Sequence, residues 1–156
     1  MIFLITVRVT ALHTATPCQF QTVSSNEWLT GKRVVLFSVP AAFSPTCSEK
    51  HLPGFVQHAA AICDKRVDAI VCMSVDSHWV MREWASAVQA GAQITMLADG
   101  NAAVAKALGL AFDAGAIGVR ARRFAMIVDD GKVVSLFVDE RGKFVVSSAE
   151  AILSAL

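Results

Sequence analysis

The chain has 156 residues, 54% of them hydrophobic, which is enough to bury the core of one domain, and we predict a single domain over residues 1–156. A formal net charge of +1 gives no electrostatic reason to expect nucleic acid or a membrane surface as a partner. The apolar opening at residues 1–7 is too short to span a bilayer and lacks the marks of a secretory signal, so we expect a cytoplasmic protein whose four cysteines are reduced.

The central part of the chain alternates apolar runs with amphipathic stretches, which predicts strands that alternate with helices. Residues 34–39 form a continuously apolar run, as in a strand that is buried on both faces. The helix that follows is expected over residues 47–62, with a kink or restart at Pro53, because proline lacks the N–H that the helix needs. Asp99 or Asn101 is expected to cap a later helix. The remaining strands are predicted at residues 69–75 and 94–97, and the remaining helices at residues 78–89 and 101–108.

The pattern in the last part of the chain predicts a β-hairpin followed by a helix. An Asp-Gly pair joins apolar runs at residues 124–128 and 133–138, which predicts a tight β-turn between two strands. Ser147 and Glu150 have the spacing of a capping box and predict a final helix that ends at Leu156. This order of elements predicts an α/β protein with a thioredoxin-like fold, in which helices flank a central mixed β-sheet.

The turn between the first predicted strand and its helix carries the chemistry, with the sequence PAAFSPTC at residues 40–47. Cys47 stands at the N-terminus of the predicted helix, where unpaired N–H groups and a partial positive charge favour a thiolate. The Ser44 hydroxyl is three residues away and is well placed to bond to the sulfur or to a bound substrate. Pro40 can hold the turn over the thiol and shield it from water.

Pro40, Ser44 and Cys47 also occupy the three fixed positions of the motif Pro-x-x-x-Ser/Thr-x-x-Cys. On this motif and an ordered series of further stretches, the chain resembles the type II (peroxiredoxin-five-like) branch of the peroxiredoxins over residues 28–156. The further stretches lie at residues 31–37, 47–55, 74–76, 97–100, 118–126 and 144–149.

The chain departs from the family pattern at three places. Ala41 stands where the family usually has glycine, and an alanine does not easily adopt positive φ. Ser44 replaces a threonine but keeps the hydroxyl, so the chemistry should survive. Residues 1–27 lack the opening that is usual in the family.

The resemblance implies a thiol peroxidase that reduces hydrogen peroxide and small alkyl hydroperoxides without a metal or an organic cofactor. Cys47 would attack the peroxide and become a sulfenic acid, and glutaredoxin with glutathione, or thioredoxin, would return the thiol. Relatives form homodimers, and Phe43 beside the thiol is expected near such an interface.

A peroxidatic thiolate also needs a cation, because negative charge develops on the leaving oxygen. Spacing alone favours a solvated basic turn for Arg120, Arg122 and Arg123. The resemblance assigns the catalytic role to Arg123 and leaves Arg120 and Arg122 as surface charges.

Cys72 is the candidate resolving cysteine, because plant-like relatives place that residue at the same position of the second strand. The alternative is that Cys72 is a small apolar residue of the core. The strand period does not separate these interpretations, since both faces of a central strand are buried. Relatives that resolve near the C-terminus have a cysteine where this chain has Ser147 and Ser148.

The other candidate ligands and thiols have weaker patterns. Cys63 is expected to be inert at the end of the first helix, and no motif surrounds Cys18. His51 is expected to pack beside the first helical turn rather than act as a general base. Cys47 and His51 supply two of the four ligands that structural zinc requires, so we predict no metal site.

Two alternative functions remain open on the same fold. One is a peroxide sensor that passes its oxidation to a partner protein. The other is a thiol–disulfide oxidoreductase, which is weakened because Lys50 stands where a Cys-x-x-Cys partner would be. Sustained turnover of peroxide distinguishes an enzyme from a sensor.

Overall fold

The computed structural model describes residues 8–12 and 20–156 of the chain. A seven-stranded sheet crosses the described part of the protein in the order β2-β1-β5-β4-β3-β8-β9, and β6 and β7 form a separate two-stranded sheet. The strands are β1 (Arg8–Leu12), β2 (Phe20–Ser24), β3 (Arg33–Ser38), β4 (Ala69–Ser74), β5 (Ile94–Ala98), β6 (Ala111–Asp113), β7 (Val119–Ala121), β8 (Phe124–Asp129) and β9 (Lys132–Val138).

The large sheet is mixed, as predicted. β3, β4 and β5 run parallel to one another, while the hairpin β8–β9 joins β3 antiparallel on one side and β1 joins β5 antiparallel on the other. Parallel strands need crossover connections, and here these are helices. The α-helices are α1 (Ser25–Leu29), α2 (Leu52–Cys63), α3 (His78–Ala87), α4 (Ala103–Ala107) and α5 (Ala149–Ala155).

Alternate side chains of the central strands supply two separate cores. On one face, Phe37 and Cys72 belong to a buried cluster with residues of α2, α3 and α5. On the other face, Leu36 and Met73 pack with residues of α4, and α1 lies against them. Because both faces are covered, β3 and β4 read as continuous apolar runs in the sequence.

The first helix begins earlier than predicted and contains a wider turn. Helical backbone starts at Pro45, and residues Cys47–His51 form a π-helical turn before α2 begins at Leu52. The N–H of Leu52 bonds to the carbonyl of Cys47, five residues back. Pro53 is the second residue of α2 and directly follows the π-helical turn, and it has no N–H to continue the helical ladder. The predicted disturbance near Pro53 is therefore a π-helical turn that precedes it.

The hairpin turn and the α4 cap are confirmed, but the predicted capping box is wrong by one residue. The turn residues Asp130 and Gly131 both have positive φ, at 48° and 74°, as the tight hairpin turn requires. Both candidates cap α4, since the Asp99 carboxylate accepts from the N–H groups of residues 104 and 105, and the Asn101 side chain accepts from that of residue 103. Ser148, rather than Ser147, accepts the N–H of residue 151 at the start of α5.

The first described elements were not predicted from sequence. β1 and β2 pair antiparallel, and β1 extends the large sheet along β5. The opening at residues 1–7 and Cys18 lie outside the described residues. Within residues 8–12 and 20–156, no helix has both the length and the apolar character needed to cross a membrane.

Candidate active site

Cys47 lies in the first turn of the helix that follows β3. The carbonyl of Ser44 accepts the N–H of Ser48 at 3.0 Å, so Ser44 caps the helix and Pro45 takes its first position. Proline fits there, because its missing N–H would have no helical partner. Cys47 is fully buried, and the indole N–H of Trp84 on α3 donates to the Ser48 hydroxyl at 2.9 Å beside it. The thiol is thus buried in a hydrogen-bonded helical turn.

Arg123 supplies the cation at the sulfur. It stands just before β8, the strand that pairs with β3 on the side of the active-site turn. Its Nη2 donates to Cys47 Sγ at 3.3 Å, and its Nη1 donates to His51 Nδ1 at 3.0 Å. The guanidinium also lies 5.7 Å from the centre of the Phe144 ring. The predicted thiol and its predicted cation are therefore in direct contact.

His51 is the residue whose importance sequence analysis missed. It is fully buried one π-helical turn after Cys47, and its Nε2 is 2.9 Å from the carbonyl oxygen of Ser147. A carbonyl oxygen only accepts, so Nε2 carries the proton and Nδ1 accepts from Arg123. Burial, followed by the charge of Arg123, lowers the pKa of His51 from 6.5 to about 3. The imidazole is therefore neutral, and it orients Arg123 rather than taking a proton from the thiol.

The loop after β9 anchors the other side of His51. The buried Asp139 carboxylate accepts hydrogen bonds from the Ser147 hydroxyl and from the N–H groups of Val145 and Val146. Burial by itself raises the pKa of Asp139, but these hydrogen bonds outweigh it, and the pKa lies below its ordinary value. This fixed loop presents the Ser147 carbonyl to His51. The Ser147 side chain points to Asp139, and the N-cap position of α5 falls on the next residue, Ser148.

Ser44 and Pro40 lie on the outer side of the thiol turn. The Ser44 hydroxyl donates to the carbonyl of Ala41 at 2.8 Å, so its proton is engaged within the turn while its oxygen can still accept. Phe43 has φ of 63°, an uncommon conformation for a bulky residue. Glycine is usual at position 41 in the family, but the positive φ in this turn falls at Phe43.

A partly buried ion pair also contacts the thiol turn. Asp76 follows β4, and its carboxylate accepts from the N–H of Ala42 at 3.0 Å and from the Ser74 hydroxyl at 2.6 Å. Its other oxygen accepts from Arg120 at 3.1 Å, and the two side chains are only 16–18% exposed. Arg120 is therefore not a surface charge as expected.

Arg122 also differs from the expectation of a surface charge. Its Nη2 donates to the carbonyl of Asp139 at 2.8 Å, and its Nε is buried without a hydrogen-bond partner among the described residues. The side chain lines a pocket of about 530 Å³ that also touches Pro40, Thr46 and Arg123. Cys47 itself is not in the lining, so the pocket borders the thiol turn through Pro40, Thr46 and Arg123.

Cys72 lies on the face of the sheet that carries the active-site helix. It belongs to the same buried cluster as Cys47, and it pairs in the sheet with Phe37. Burial, followed by the charge of Cys47, raises the pKa of the Cys72 thiol well above its ordinary value. Cys72 is thus a neutral thiol in the core of the folded state, and it lies close enough to Cys47 for a charge there to disfavour its ionisation.

Cys63 ends α2 as expected and is only partly buried. Burial, followed by the charge of Asp64, raises its pKa. Within the part of the chain that the structure describes, no three His, Cys, Asp or Glu side chains come together as metal ligands would.

The fold and this site define a thiol-based redox protein. A cysteine in the first turn of the helix after a central strand, with an arginine on its sulfur and an open pocket above, is an arrangement for attack on a small electrophile.

The Redoxin family model matches residues 8–153 of the chain. Peroxiredoxin-2E-2, chloroplastic, of Oryza sativa subsp. japonica is 46% identical over 88% of this chain, and the match spans 64% of that relative's length. Peroxiredoxin-2B of Arabidopsis thaliana is 44% identical over 88% of this chain and 86% of that protein. The crystal structure of reduced Prx3 from Vibrio vulnificus in complex with H2O2 has a TM-score of 0.88 at 43% identity, covering 95% of this chain and 92% of that one.

The chain belongs to the Redoxin family and, within it, to the type II peroxiredoxins, which are thiol-dependent peroxidases. The predictions of family, of a thioredoxin-like fold and of peroxidase activity are confirmed. The matched region also reaches back to residue 8, beyond the 28–156 stretch that carries the resemblance in sequence motifs.

Proposed function

We propose that Cys47 is the peroxidatic residue of this thiol peroxidase, which reduces hydrogen peroxide and alkyl hydroperoxides. The observation that carries the proposal is the 3.3 Å contact between Arg123 Nη2 and the sulfur of a fully buried cysteine in a helical first turn. Charge-assisted donors that are fixed before the reaction stabilise both the thiolate and the oxyanion that develops.

In the reaction, the Cys47 thiolate attacks the terminal oxygen of the hydroperoxide. A sulfur–oxygen bond forms, the oxygen–oxygen bond breaks, and the sulfur is oxidised by two electrons to a sulfenic acid. The leaving alkoxide or hydroxide takes a proton and departs as alcohol or water. Arg123 faces the charge that moves from sulfur to the leaving oxygen.

Ser44 and Pro40 position the substrate in this proposal. The Ser44 oxygen keeps lone pairs that can accept the O–H of a hydroperoxide, because its own proton goes to the Ala41 carbonyl. Pro40 lines the pocket beside Arg123 and keeps bulk water from the sulfenic acid. The structural relative from Vibrio vulnificus binds H2O2, which supports a peroxide-sized site here.

We further propose that Cys72 resolves the sulfenic acid as a Cys47–Cys72 disulfide. Both residues face the same buried cluster on one side of the sheet. Burial keeps Cys72 protonated, and a disulfide needs Cα atoms within about 7 Å. We expect the first turns of the helix, including Cys47–His51, to open so that the bond can form. A slow opening would let glutathione reach the sulfenic acid first.

The choice of reductant depends on that competition. Glutaredoxin with glutathione is the expected reductant of a glutathionylated Cys47, and thioredoxin that of a Cys47–Cys72 disulfide.

Intact mass after one equivalent of peroxide separates these routes: the disulfide loses two hydrogens, and S-glutathionylation adds about 305 Da. Cys72→Ser should stop thioredoxin-dependent turnover and leave the first oxidation intact. An unchanged thioredoxin rate in this variant would remove Cys72 from the cycle.

A steady-state assay with either reductant tests the assignment of the nucleophile. Cys47→Ser should abolish turnover, while Cys63→Ser, at the far end of α2, serves as the matched control and should keep it. Turnover by Cys47→Ser above a few per cent of wild type would move the nucleophile to another cysteine. Stoichiometric oxidation of wild type without turnover would favour the peroxide sensor.

We also propose a homodimer whose interface lies beside the thiol turn. The side chains of Phe43, Trp79, Ile117 and Val119 are apolar and exposed, and the Asp76–Arg120 ion pair contacts the backbone at or beside three of them. Asp76 binds the backbone next to Phe43, while its partner Arg120 follows Val119 and bonds to the Ile117 carbonyl. Sedimentation of Trp79→Glu against wild type tests this surface, and a wild-type monomer at micromolar concentration would contradict it.

A cytoplasmic location remains our proposal for the chain, and the relatives named chloroplastic make an organelle the competing outcome. Fractionation of cells that express the protein from its own gene distinguishes the two.

A further inference from the structure

The pocket above Cys47 carries an excess of positive charge that the thiol chemistry does not use. Two acidic side chains, Asp139 and Glu140, line it together with a larger set of cations. The cations are Lys50, Arg122, Arg123, Arg141 and Lys143.

Most of these charges are already committed to partners. Arg123 binds the sulfur and His51, and Arg122 binds the Asp139 carbonyl. Lys143 pairs with Glu140, and the Asp139 carboxylate is satisfied by the loop that follows it. Lys50 and Arg141 remain, and neither forms an ion pair within the described part of the chain.

These two cations come from distant parts of the chain and line the same pocket. Lys50 lies on the π-helical turn, three residues after Cys47. The Arg141 guanidinium stacks over the Phe112 ring, with 4.6 Å between its central carbon and the ring centre. Phe112, Ile117 and Phe144 make the remaining wall apolar. An apolar wall with a cationic rim matches an organic molecule that carries a carboxylate.

We propose that Lys50 and Arg141 form a carboxylate subsite, which makes carboxylate-bearing organic hydroperoxides preferred substrates. This inference rests on the proposed function of Cys47. The hydroperoxide end lies at Arg123 and Cys47, the hydrocarbon lies against the apolar wall, and the carboxylate pairs with the rim cations. The redox step is unchanged: sulfur gains the terminal oxygen, the oxygen–oxygen bond breaks, the alkoxide takes a proton, and the carboxylate leaves as it entered.

We expect the subsite to bind the hydroperoxide substrate rather than the reductant. The pocket exists in the state where the Cys47 turn is folded and Arg123 contacts the sulfur. That is the state a hydroperoxide meets, whereas the reductant meets the oxidised protein.

A matched pair of substrates tests the subsite: a hydroperoxide of octanoic acid and the methyl ester of the same compound. Rate constants for oxidation of the full chain are measured by stopped flow in low salt. Wild type should react about tenfold faster with the acid than with the ester, because rim charges raise the local concentration of anions. The ratio should fall towards one in K50Q/R141Q, and in wild type as salt is raised, since salt screens exposed charges.

The acid-to-ester ratio is the readout because it cancels any general effect of Lys50 on the nearby thiol. Lys65→Gln, an exposed lysine beyond the end of α2, is the matched control and should keep the wild-type ratio. A wild-type ratio near one, or a double variant that keeps the wild-type ratio, overturns the inference.

Two further results distinguish failure of the carboxylate subsite from failure of the proposed peroxidase function of Cys47. If wild type fails to reduce hydrogen peroxide at all, the proposed function fails. If it reduces hydrogen peroxide but the double variant is slowed only in regeneration by glutathione, the rim belongs to the reductant and the inference is overturned.

Discussion

The Arg123 guanidinium donates hydrogen bonds to two acceptors, and together these bonds fix its position relative to the Cys47 sulfur. One Nη donates to Cys47 Sγ and the other to His51 Nδ1. A guanidinium has a rigid planar fork, so fixing one arm aims the other. His51 is fixed in turn by the Ser147 carbonyl, which the loop around Asp139 holds in place. The sulfur is thus oriented through a chain of contacts that starts in a distant loop.

Removal of Arg123 should slow peroxide attack while leaving the fold intact. Loss of one preorganised donor at a developing oxyanion costs about 100- to 1,000-fold, so we expect Arg123→Ala to lower the rate with H2O2 by about 100-fold. Stopped-flow oxidation by H2O2 measures this effect, and a wild-type rate in Arg123→Ala would remove Arg123 from the site.

His51 should act only through Arg123, as a positioning residue. We expect His51→Leu to slow oxidation about tenfold, and His51→Gln to recover part of the loss, because an amide can still accept from Arg123 and donate to Ser147. In an Arg123→Ala background, His51→Leu should add little, since residues that act as a unit are not additive. An equal effect of His51→Leu with and without Arg123 would contradict this role.

At the scale of elements, the loop after β3 and the loop after β4 are hydrogen-bonded to each other. Asp76 follows β4 and binds the backbone of Ala42 in the turn that follows β3. Parallel strands end at the same edge of a sheet, which is why these two loops meet. The positive φ of Phe43 costs energy that neighbouring contacts must offset. The Asp76–Arg120 pair supplies such contacts.

Asp76→Ala should remove the contacts between these two loops and destabilise the protein. The carboxylate receives three hydrogen bonds and is mostly buried, so its loss should lower the free energy of unfolding by about 2 kcal/mol, with some discount for its exposed fraction. Glu83→Ala breaks a solvent-exposed ion pair with Arg82 and is the control, with an expected change below about 0.5 kcal/mol. Urea unfolding measures both. Equal midpoints for the two variants would show that the Asp76 contacts add no stability.

At the scale of the whole molecule, a neutral histidine is built into the core beside the sheet. His51 packs between the Phe37 and Phe144 rings and belongs to no solvent-exposed surface. Its pKa falls from 6.5 to about 3 on folding, chiefly by burial and then by Arg123. Between these values the unfolded chain binds one more proton than the folded protein, so the free energy of unfolding decreases as pH falls below 6.5.

Acid should therefore destabilise the protein well above the range in which carboxylates titrate. The shift corresponds to a loss of about 2 kcal/mol between pH 7.5 and pH 5. Urea midpoints at the two pH values measure it, and His51→Gln should lose most of this dependence. The lowered pKa of Asp139 acts in its own range near pH 4 and below, outside this window. A wild-type midpoint that does not change between pH 7.5 and pH 5 would contradict the account of His51.

The sequence by itself determined the elements whose signals are local. Continuous apolar runs predicted β3, β4 and β5, the Asp-Gly pair predicted the hairpin, and the motif around Cys47 predicted the reactive thiol. A helix start, a tight turn and strand periodicity each depend on residues within a few positions. Cys47 could therefore be proposed as the reactive thiol from its neighbours in the chain alone, and the family followed from the ordered motifs.

Only the tertiary structure decided the contacts between distant segments. His51 meets Ser147 across 96 residues, and Arg120 meets Asp76 across 44, and no local pattern marks either pair. The face of Cys72 was undecidable from sequence, because a strand buried on both sides has no polar face to give its orientation. Helix packing places Cys72 on the side of Cys47, and it brings Lys50 to the pocket that Arg141 lines from the loop after β9. These side chains come together only when the crossovers stack the helices on the sheet.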